Sequence, residues 1–544
     1  MKTNSSLLIG IASLCLVAFS AKANVYATNI KLNDTTNNIT FTPTNTVQIS
    51  YILNEPASAG VSIEILSGAT VARALTIAGD SPGTTRGSNS VAWDGKNAAG
   101  SYVTAGNYSF RITAKATGYA GWTQISSDSD PGNYVYEPTG LAVNKNTNSP
   151  FYGRVFVGNS VSGGANTGKL GDQVGILTLN ADCSFAGDGF NTGGYPWAGD
   201  AFSPWKMEVS ADDKLYVNDW TGNGIVLAFD QELTNNLLTV MRGDSGPSSI
   251  GGDNNPSGSA NMSGPAITGA GTNTHVWMAD IKKSTSGGTG ITRWGVADDF
   301  TCAPNDTGTQ IVPLSSDLDV YPYSVFVDKS NYIYTIQFVT SNAIPSARVL
   351  RFPPYTGTPL TIANWKIGGN NNDMRGAIGL AVDPTATYVA VSFSVFFPSG
   401  GGGAPRSGGV AILRASDGSL VEREVGPRHD TPVVVWDNVG NVYTGDNSDG
   451  YWRIYSPPGT NQATTVALEN ITFNGPPKLT AQSWSANQFH LSLTGLASQS
   501  YIIQSSTNLS TWTPVLTNSD ATVIRNLILP TSNSKTFYRA TLGP

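Results

Sequence analysis

The sequence predicts an all-β protein composed of a β-sandwich, a six-bladed β-propeller and a small C-terminal β-sandwich. The main observation is a triplet of short apolar segments that recurs six times between Glu137 and Phe473. The flanking segments alternate apolar and polar residues with period two, which is typical of strands. Equivalent positions in the six copies are Val143, Val209, Thr268, Val327, Val382 and Trp436, separated by 66, 59, 59, 55 and 54 residues. A strand-only repeat of this length indicates one propeller blade per copy.

Residues 1–23 are predicted to be a secretory signal peptide, so the mature chain is expected to be secreted or held at the cell surface. Lys2 gives a basic start, residues 7–19 form a short apolar core, and residues 21–23 have the small-x-small cleavage pattern. No later segment approaches the ~20 apolar residues that a membrane-spanning helix needs. The net charge of −7 and the absence of a basic run argue against nucleic-acid binding.

Two cysteines, Cys183 and Cys302, remain after removal of the signal peptide. Export would permit a disulfide between them. However, they follow the third strands of copies one and three, which are not neighbours in the ring, and a disulfide requires Cα atoms within ~7 Å. The sequence leaves their pairing open.

Residues 24–118 alternate with period two and are predicted to form the N-terminal sandwich. Trp93 is expected to fill its core, and Asp94 with Gly95 to form a tight turn. The pattern W-D-G-K-x3-G-x5-G-x-Y-x-x-R-I, which begins at Trp93, resembles the immunoglobulin-like domain of flagellar hook-capping proteins. The resemblance implies a structural module that acts as a spacer or docking sandwich.

Residues 119–473 are assigned to the propeller. Residues 138–143 and 378–383 resemble NHL-type repeats, whose first strand reads P-x-G-I-A-V-D, whereas copy three lacks the acidic turn. The closure of the ring is left open at this point. Either residues 122–125 add an outer strand to the last copy, or residues 464–472 complete it.

Residues that flank the first strand of each copy are expected to surround one mouth of the central channel. The candidate ligand-binding residues at this mouth are Glu137, Trp205, Tyr321, Tyr323, Arg375, His429 and Asp430. The aromatic rings would stack on a glycan or peptide, and Arg375 or Glu137 would fix its orientation. The alternative is that the aromatic residues only pack adjacent blades together.

A second hypothesis places calcium in the channel, bound by Glu137, Asn218 and Asp446. Calcium takes about six to eight oxygen ligands, which Asn, Asp and backbone carbonyls supply. The arrangement is similar to gluconolactonase-type six-bladed propellers, and this resemblance implies a divalent metal and a lactonase or lyase activity. The alternative is that the Asn and Asp residues cap strand ends in turns. Turn formation also explains the acidic residues 128–132 and 446–450.

Residues 474–544 are predicted to form the C-terminal β-sandwich. The pattern Y-x-I-Q-S-S-T-N-L-x-x-W from Tyr501 and the terminal F-Y-R-A from Phe537 resemble a small β domain at the extreme C-terminus of many exported bacterial proteins. The resemblance implies surface display or sorting. No cluster of titratable residues is present there, so no chemistry is expected.

The leading hypothesis is therefore an exported, non-enzymatic recognition or scaffold protein that binds an extracellular glycan or peptide at the channel mouth. One alternative is a metal-dependent propeller enzyme of the lactonase or lyase type. Another is a purely structural component of a surface layer or appendage. The chain has three histidines without metal-ligand spacing, which argues against a zinc site. Catalytic residues are not identifiable from the sequence.

Overall fold

The computed structural model shows an all-β protein, which confirms the predicted fold class. It describes residues 24–42, 45–163, 168–197, 203–220, 224–234, 237–243, 254, 262–281, 288–315, 317–338, 347–368, 376–396, 406–426, 429–474, 477–485, 488–495, 500–518, 524–530 and 535–543. Three single-turn 3-10 helices interrupt the described strands: Pro131–Asn133, Leu170–Asp172 and Gly271–Asn273. The described residues contain no helix with the length and apolar character of a membrane span.

The strands fall into four groups along the chain. The N-terminal group is β1 (Ala27–Leu32), β2 (Ile39–Phe41), β3 (Val47–Leu53), β4 (Gly60–Ser67), β5 (Thr70–Ile77), β6 (Gly87–Trp93) and β7 (Gly106–Tyr119). The propeller strands are β8 (Thr123–Gln124), β9 (Pro138–Val143), β10 (Val155–Asn159), β11 (Gly175–Leu179), β12 (Phe185–Asn191), β13 (Met207–Val209), β14 (Leu215–Asp219), β15 (Ile225–Phe229), β16 (Leu238–Met241), β17 (Met262–Thr268), β18 (His275–Asp280), β19 (Ile291–Gly295), β20 (Thr309–Val312), β21 (Pro322–Val327), β22 (Ile333–Gln337), β23 (Ala347–Phe352), β24 (Trp365–Gly368), β25 (Ala377–Val382), β26 (Tyr388–Phe396), β27 (Arg406–Arg414), β28 (Leu420–Glu422), β29 (Val433–Trp436), β30 (Val442–Asp446) and β31 (Tyr451–Ser456). Two strands follow the propeller, β32 (Gly459–Val466) and β33 (Ile471–Phe473). The C-terminal strands are β34 (Lys478–Ser485), β35 (Gln488–Thr494), β36 (Tyr501–Ser506), β37 (Thr513–Asn518), β38 (Ile524–Pro530) and β39 (Phe537–Leu542).

The propeller consists of six four-stranded antiparallel sheets arranged in a closed ring. Each inner strand contacts the inner strand of the next sheet, and β29 of the sixth blade contacts β9 of the first. Six separate apolar cores lie between successive blades. Each copy of the sequence triplet supplies the three inner strands of one blade, and a fourth outer strand completes it.

The ring is closed by the segment that precedes the first blade. Strand β8 pairs with β31, with Gln124 opposite Tyr455 and Thr123 opposite Ser456. The Ile125 amide also donates a hydrogen bond to the Ile454 carbonyl oxygen, 2.9 Å away. Of the two closures left open by the sequence, the structure therefore uses residues 122–125.

Residues 459–473, which the sequence assigned to the propeller, belong to the N-terminal sandwich. Strands β32 and β33 both pair with β7, and β33 also pairs with β2 in parallel. The chain thus leaves the sandwich, builds the propeller, and returns to the sandwich. The boundary differs from the predicted one because these strands alternate with period two and fit a propeller blade or a sandwich equally well.

The sandwich core confirms the predicted role of Trp93, whose side chain is 1% exposed. The Trp93 ring lies 5.8 Å from the Phe41 ring and 6.3 Å from the Phe473 ring, measured between centroids. Phe41 and Phe473 are 5.2 Å apart. A residue from beyond the propeller is therefore part of the same aromatic core as residues from before it.

The acidic residue that ends the first strand of several copies forms the following turn. In the sixth blade, Asp437 Oδ1 accepts hydrogen bonds from the amides of Val439, Gly440 and Asn441. In the fifth blade, the Asp383 carboxylate accepts hydrogen bonds from the amides of Thr385, Thr387 and Tyr388. These carboxylates hold the hairpins between inner strands, so they act as turn caps.

Both remaining cysteines are buried free thiols. Cys183 lies in the core between the sixth and first blades, and Cys302 lies in the core between the second and third. The two thiols therefore occupy separate inter-blade cores.

The C-terminal unit is a sandwich of two three-stranded sheets, β34-β35-β38 and β37-β36-β39. Its small core is formed by Leu491, Leu493, Tyr501, Ile503, Leu527 and Leu529.

Candidate functional site

The candidate site is the channel mouth at which the six inner strands begin. Glu137 directly precedes β9 of the first blade, and Tyr321 directly precedes β21 of the fourth. The first and fourth blades lie opposite each other in a six-membered ring. Asp430 precedes β29 in the sixth blade, next to the first. The mouth therefore has an acidic side and an aromatic side.

A buried arginine organises the acidic side. Arg453 binds Asp128 through Nε and Nη2, Asp449 through Nη2 at 3.0 Å, and Asp446 through Nη1. The side chains of Arg453 and Asp446 are 5% and 4% exposed. His429 Nδ1 lies 2.6 Å from Asp446 Oδ2 and 3.0 Å from Asp449 Oδ2. The bonds to Arg453 hold the pKa of Asp128 below its usual value.

Two further carboxyl groups lie beside this network. Burial, together with the nearby charges of Asp446 and Glu137, raises the pKa of Asp430 to about 6. Burial also raises the pKa of Glu137. The structure therefore brings together three predicted residues, Glu137, Asp430 and Asp446, and neither Glu137 nor Asp430 has an ion pair with another described residue.

The metal hypothesis has mixed geometric support. Ligand atoms of His429, Asp446 and Asp449 lie within 4.8 Å of one another. However, the Arg453 guanidinium already donates hydrogen bonds to the carboxylates of Asp446 and Asp449. A divalent cation would therefore compete with its positive charge. Asn218, on the second blade, uses its Nδ2 to donate to the Ile225 carbonyl oxygen at 3.1 Å. Its buried Oδ1 has no hydrogen-bond partner among the described residues.

The aromatic side is a packed cluster with a half-buried rim. Trp205 is 1% exposed, and its ring lies 5.2 Å from Trp220 and 6.3 Å from Tyr323. Its Nε1 donates to Ser263 Oγ at 2.9 Å. This burial favours the packing alternative for Trp205. Tyr321 and Tyr323 are half-buried and border the opening. Burial raises the pKa of Tyr323 to about 12.

Lys206 spans the channel beneath the mouth. It extends from the second blade, and its Nζ donates to the carbonyl oxygens of Ile378 at 2.6 Å and Pro432 at 2.8 Å. These carbonyls belong to the fifth and sixth blades. Burial lowers the pKa of Lys206 to about 7. Below it lies a cavity of about 50 Å³, lined by the inner strands. Lys206 thus bridges the channel between the second, fifth and sixth blades.

The opposite end of the cavity also carries charge. Lys145 and Glu208 border it, and Glu208 Oε2 accepts a hydrogen bond from the Ile267 amide at 2.8 Å. Burial raises the pKa of Glu208 to about 7, although Lys145 opposes this shift. This pair lies on the far side of Lys206 from the candidate site.

Sequence reasoning missed the participation of Asp128, Asp449 and Arg453 in the mouth. The sequence predicts turns at the acidic residues 128–132 and 446–450, and Asp446 Oδ1 does accept hydrogen bonds from the Ser448 and Asp449 amides. Its other oxygen binds Arg453, and sequence patterns do not show that pairing. Arg375, the remaining predicted residue, lies outside the described residues.

Comparison with known proteins identifies one segment of the chain. Residues 36–118 match the FlgD Ig-like domain. This match confirms the resemblance noted for the N-terminal sandwich. It covers only this segment, and no curated protein matches the chain by sequence.

Three solved structures are similar in fold. A calcium structure of a Trichoderma reesei carbohydrate-active enzyme of family AA12 has 10% identity and a TM-score of 0.39, covering 66% of this chain and 98% of that one. A glucose dehydrogenase has 11% identity and a TM-score of 0.36, covering 61% and 98%. The WD40 β-propeller domain of Doa1 has 10% identity and a TM-score of 0.33, covering 62% and 97%. Two of these three similar structures are enzymes, and the third is described only as a propeller domain.

Proposed function

We propose that this protein is an exported, non-enzymatic recognition or scaffold protein whose propeller mouth binds an extracellular glycan or peptide. The supporting observation is the carboxyl pair Glu137 and Asp430 on one side of the channel mouth, with Tyr321 and Tyr323 on the opposite blade. Burial raises the pKa of both carboxyl groups, and they lack a cationic partner among the described residues. A ligand that brings an ammonium group or hydroxyl donors would stabilise these charged groups.

The tyrosines give the same mouth an apolar surface. Tyr321 and Tyr323 lie across the opening from Glu137, and the buried Trp205 and Trp220 support Tyr323 from below. Supported rings of this kind bind the apolar face of a sugar or a peptide side chain with little loss of rotamer freedom. Lys206 spans the channel beneath these rings. A ligand at the mouth would therefore be bound there and would not pass through the ring.

The test is binding of residues 24–544 to glycan and peptide arrays, compared with the variants Glu137→Gln and Asp430→Asn. Each variant is expected to weaken binding of the best ligand at least tenfold. The matched control is Asp94→Asn, which removes the same charge from an exposed turn of the sandwich. Binding that survives both mouth variants unchanged would place the ligand elsewhere on the protein.

The metal-dependent enzyme remains a second candidate because His429, Asp446 and Asp449 bring their ligand atoms within 4.8 Å of one another. Thermal unfolding with calcium and with chelator separates it from the leading proposal. Calcium at 100 times its dissociation constant would stabilise the protein by about 2.7 kcal/mol. We expect no such stabilisation. A calcium-dependent shift that disappears in Glu137→Gln or Asp446→Asn would support the enzyme instead.

The purely structural alternative predicts ordered self-assembly. Electron microscopy of the purified chain at rising concentration tests this, because a surface-layer or appendage component forms sheets or filaments. We expect separate particles. Export itself is tested by N-terminal sequencing of the protein from its native source, where we expect the chain to begin near Asn24.

A further inference from the structure

The C-terminal sandwich contains a cleft of about 450 Å³ between the ends of its two sheets. Its described lining carries six serine and threonine hydroxyls and the Asn508 amide, with Val515, Leu529 and Tyr538 as apolar surface. No charged side chain is among these lining residues. The volume lies within the range of about 300–1,000 Å³ that is typical of ligand sites.

The strand register explains why the cleft forms at this end of the sandwich. Along β36, the alternate residues Tyr501, Ile503 and Ser505 point to the same face. Tyr501 and Ile503 are completely buried, whereas Ser505 is not. Ser505 pairs with Thr513 on one side and Tyr538 on the other. The core-facing row therefore changes from apolar side chains to two hydroxyls and a phenol.

The facing sheet continues with aromatic side chains at the same end. Phe489 pairs with both Trp484 and Leu529, so these three residues share one face. The Phe489 ring lies 5.9 Å from Tyr538 and 6.4 Å from Trp484. Trp484 is 62% exposed, which is unusual for a ring on the core-facing side of a strand. An aromatic row thus runs from the cleft wall at Tyr538 to the solvent.

The polar rim of the cleft is held in a fixed shape. Asn508 Oδ1 accepts hydrogen bonds from the amides of Ser510 and Thr511, at 2.9 Å each. Ser506 Oγ accepts the Leu509 amide at 2.9 Å. These bonds organise residues 506–511 without a ligand. Binding at this rim would therefore require little ordering of the loop.

We propose that this cleft binds a neutral polysaccharide and attaches the protein to an extracellular glycan. Hydroxyl and amide groups match the hydroxyls of a sugar chain, and Tyr538 offers a surface for a pyranose ring. An acidic or basic polymer would require charged partners, and the described lining residues include none. This function is additional to binding at the propeller mouth and does not depend on it.

The test is affinity electrophoresis of the full mature chain in native gels that contain laminarin, hydroxyethyl cellulose or dextran, with alginate as the acidic comparison. At least one neutral polymer is expected to slow migration, and alginate is not. Thr507→Arg and Thr511→Arg alter exposed rim residues that the fold does not need, and each is expected to reduce the retardation at least tenfold. Tyr538→Ala is expected to do the same.

The matched control is Thr494→Arg, an exposed residue at the opposite end of β35. It is expected to leave the retardation unchanged. The proposal is overturned if no neutral polymer retards the protein or if retardation survives both rim variants. It is also overturned if the wild type sediments as a dimer that Thr507→Arg dissociates, because a second copy would then fill the cleft.

Discussion

The Lys206 ammonium donates a hydrogen bond to the carbonyl oxygen of Pro432, 2.8 Å away across the propeller channel. A second bond to Ile378 connects the same group to a third blade. One side chain thus joins blades that the chain order separates by more than 170 residues. It also lies beneath the mouth at which the ligand is proposed to bind.

Replacing Lys206 with methionine is expected to destabilise the propeller by about 2 kcal/mol, because two buried carbonyl groups lose their donor. The effect should grow as pH rises. Burial lowers the pKa of Lys206 to about 7 from 10.5, so between these values the unfolded chain holds a proton that the folded protein has released. The contribution of Lys206 to the free energy of unfolding of the wild type therefore increases from pH 7 towards pH 10.

Urea unfolding of both proteins at pH 7 and pH 9 measures this difference. Lys115→Met, on an exposed position of β7, is the control and should leave stability nearly unchanged at both values. A Lys206→Met penalty that shrinks between pH 7 and pH 9 would contradict the prediction.

Asp430→Asn is expected to weaken ligand binding but stabilise the unliganded protein, by about 1–2 kcal/mol at pH 7. Burial and two neighbouring acids raise the pKa of Asp430 to about 6 from 3.8, so the folded protein disfavours the charged form. This penalty is absent below about pH 4 and is complete above about pH 6. The midpoint of urea unfolding should therefore differ between variant and wild type at pH 7 and coincide at pH 4.

Arg453→Met is expected to destabilise the protein by about 3 kcal/mol at pH 7, because it leaves the buried Asp446 without its cationic partner. Arg453 also lowers the pKa of Asp128. The difference in stability between wild type and Arg453→Met should therefore decline as the pH falls through this lowered pKa. The same variant frees the carboxylates around His429. Calcium or zinc should then raise the melting temperature of Arg453→Met, and should leave the wild type unchanged.

Phe473→Ala is expected to destabilise the N-terminal sandwich by about 3–4 kcal/mol, because it opens a cavity against Phe41 and Trp93. For the same reason, residues 24–118 expressed alone should not fold stably, since β32 and β33 would be missing. Circular dichroism of that fragment, with and without a peptide of residues 457–474, tests this. A cooperative melting transition of the isolated fragment would show that the returning strands are dispensable.

Much of the propeller was predictable because most residues of its inner strands are buried. The inner strand Ala377–Val382 and its neighbours form apolar segments with a constant order, and such segments are visible without tertiary information. Of the outer strands, the sequence indicated only residues 122–125, as one of two alternatives. Leu420–Glu422 is three residues long, is exposed or half-buried, and pairs with an irregular register. Its residues carry no apolar pattern.

The candidate site was predictable only in its location. Glu137, Tyr321 and Asp430 precede inner strands of three blades at the same end of the ring. The contacts at this end, however, depend on partners far away in the chain. Arg453 and Asp128 are 325 residues apart, and their pairing turns two acidic loops into one charged network. Trp205 was expected to stack on a ligand, yet it is buried by Trp220 and Tyr323.

The amino-acid pattern by itself determined the strand-only fold and the six copies, because burial on both faces of an inner strand requires a continuous apolar segment. It also identified the aromatic core of the first sandwich at Trp93. Long-range pairing determined the ring closure through Thr123 and Gln124 and the return of residues 459–473 to the sandwich. It also determined the hydrogen bonds of Lys206 across the channel. Each of these depends on backbone or side-chain partners that are distant in sequence, and local periodicity does not encode the choice of such partners.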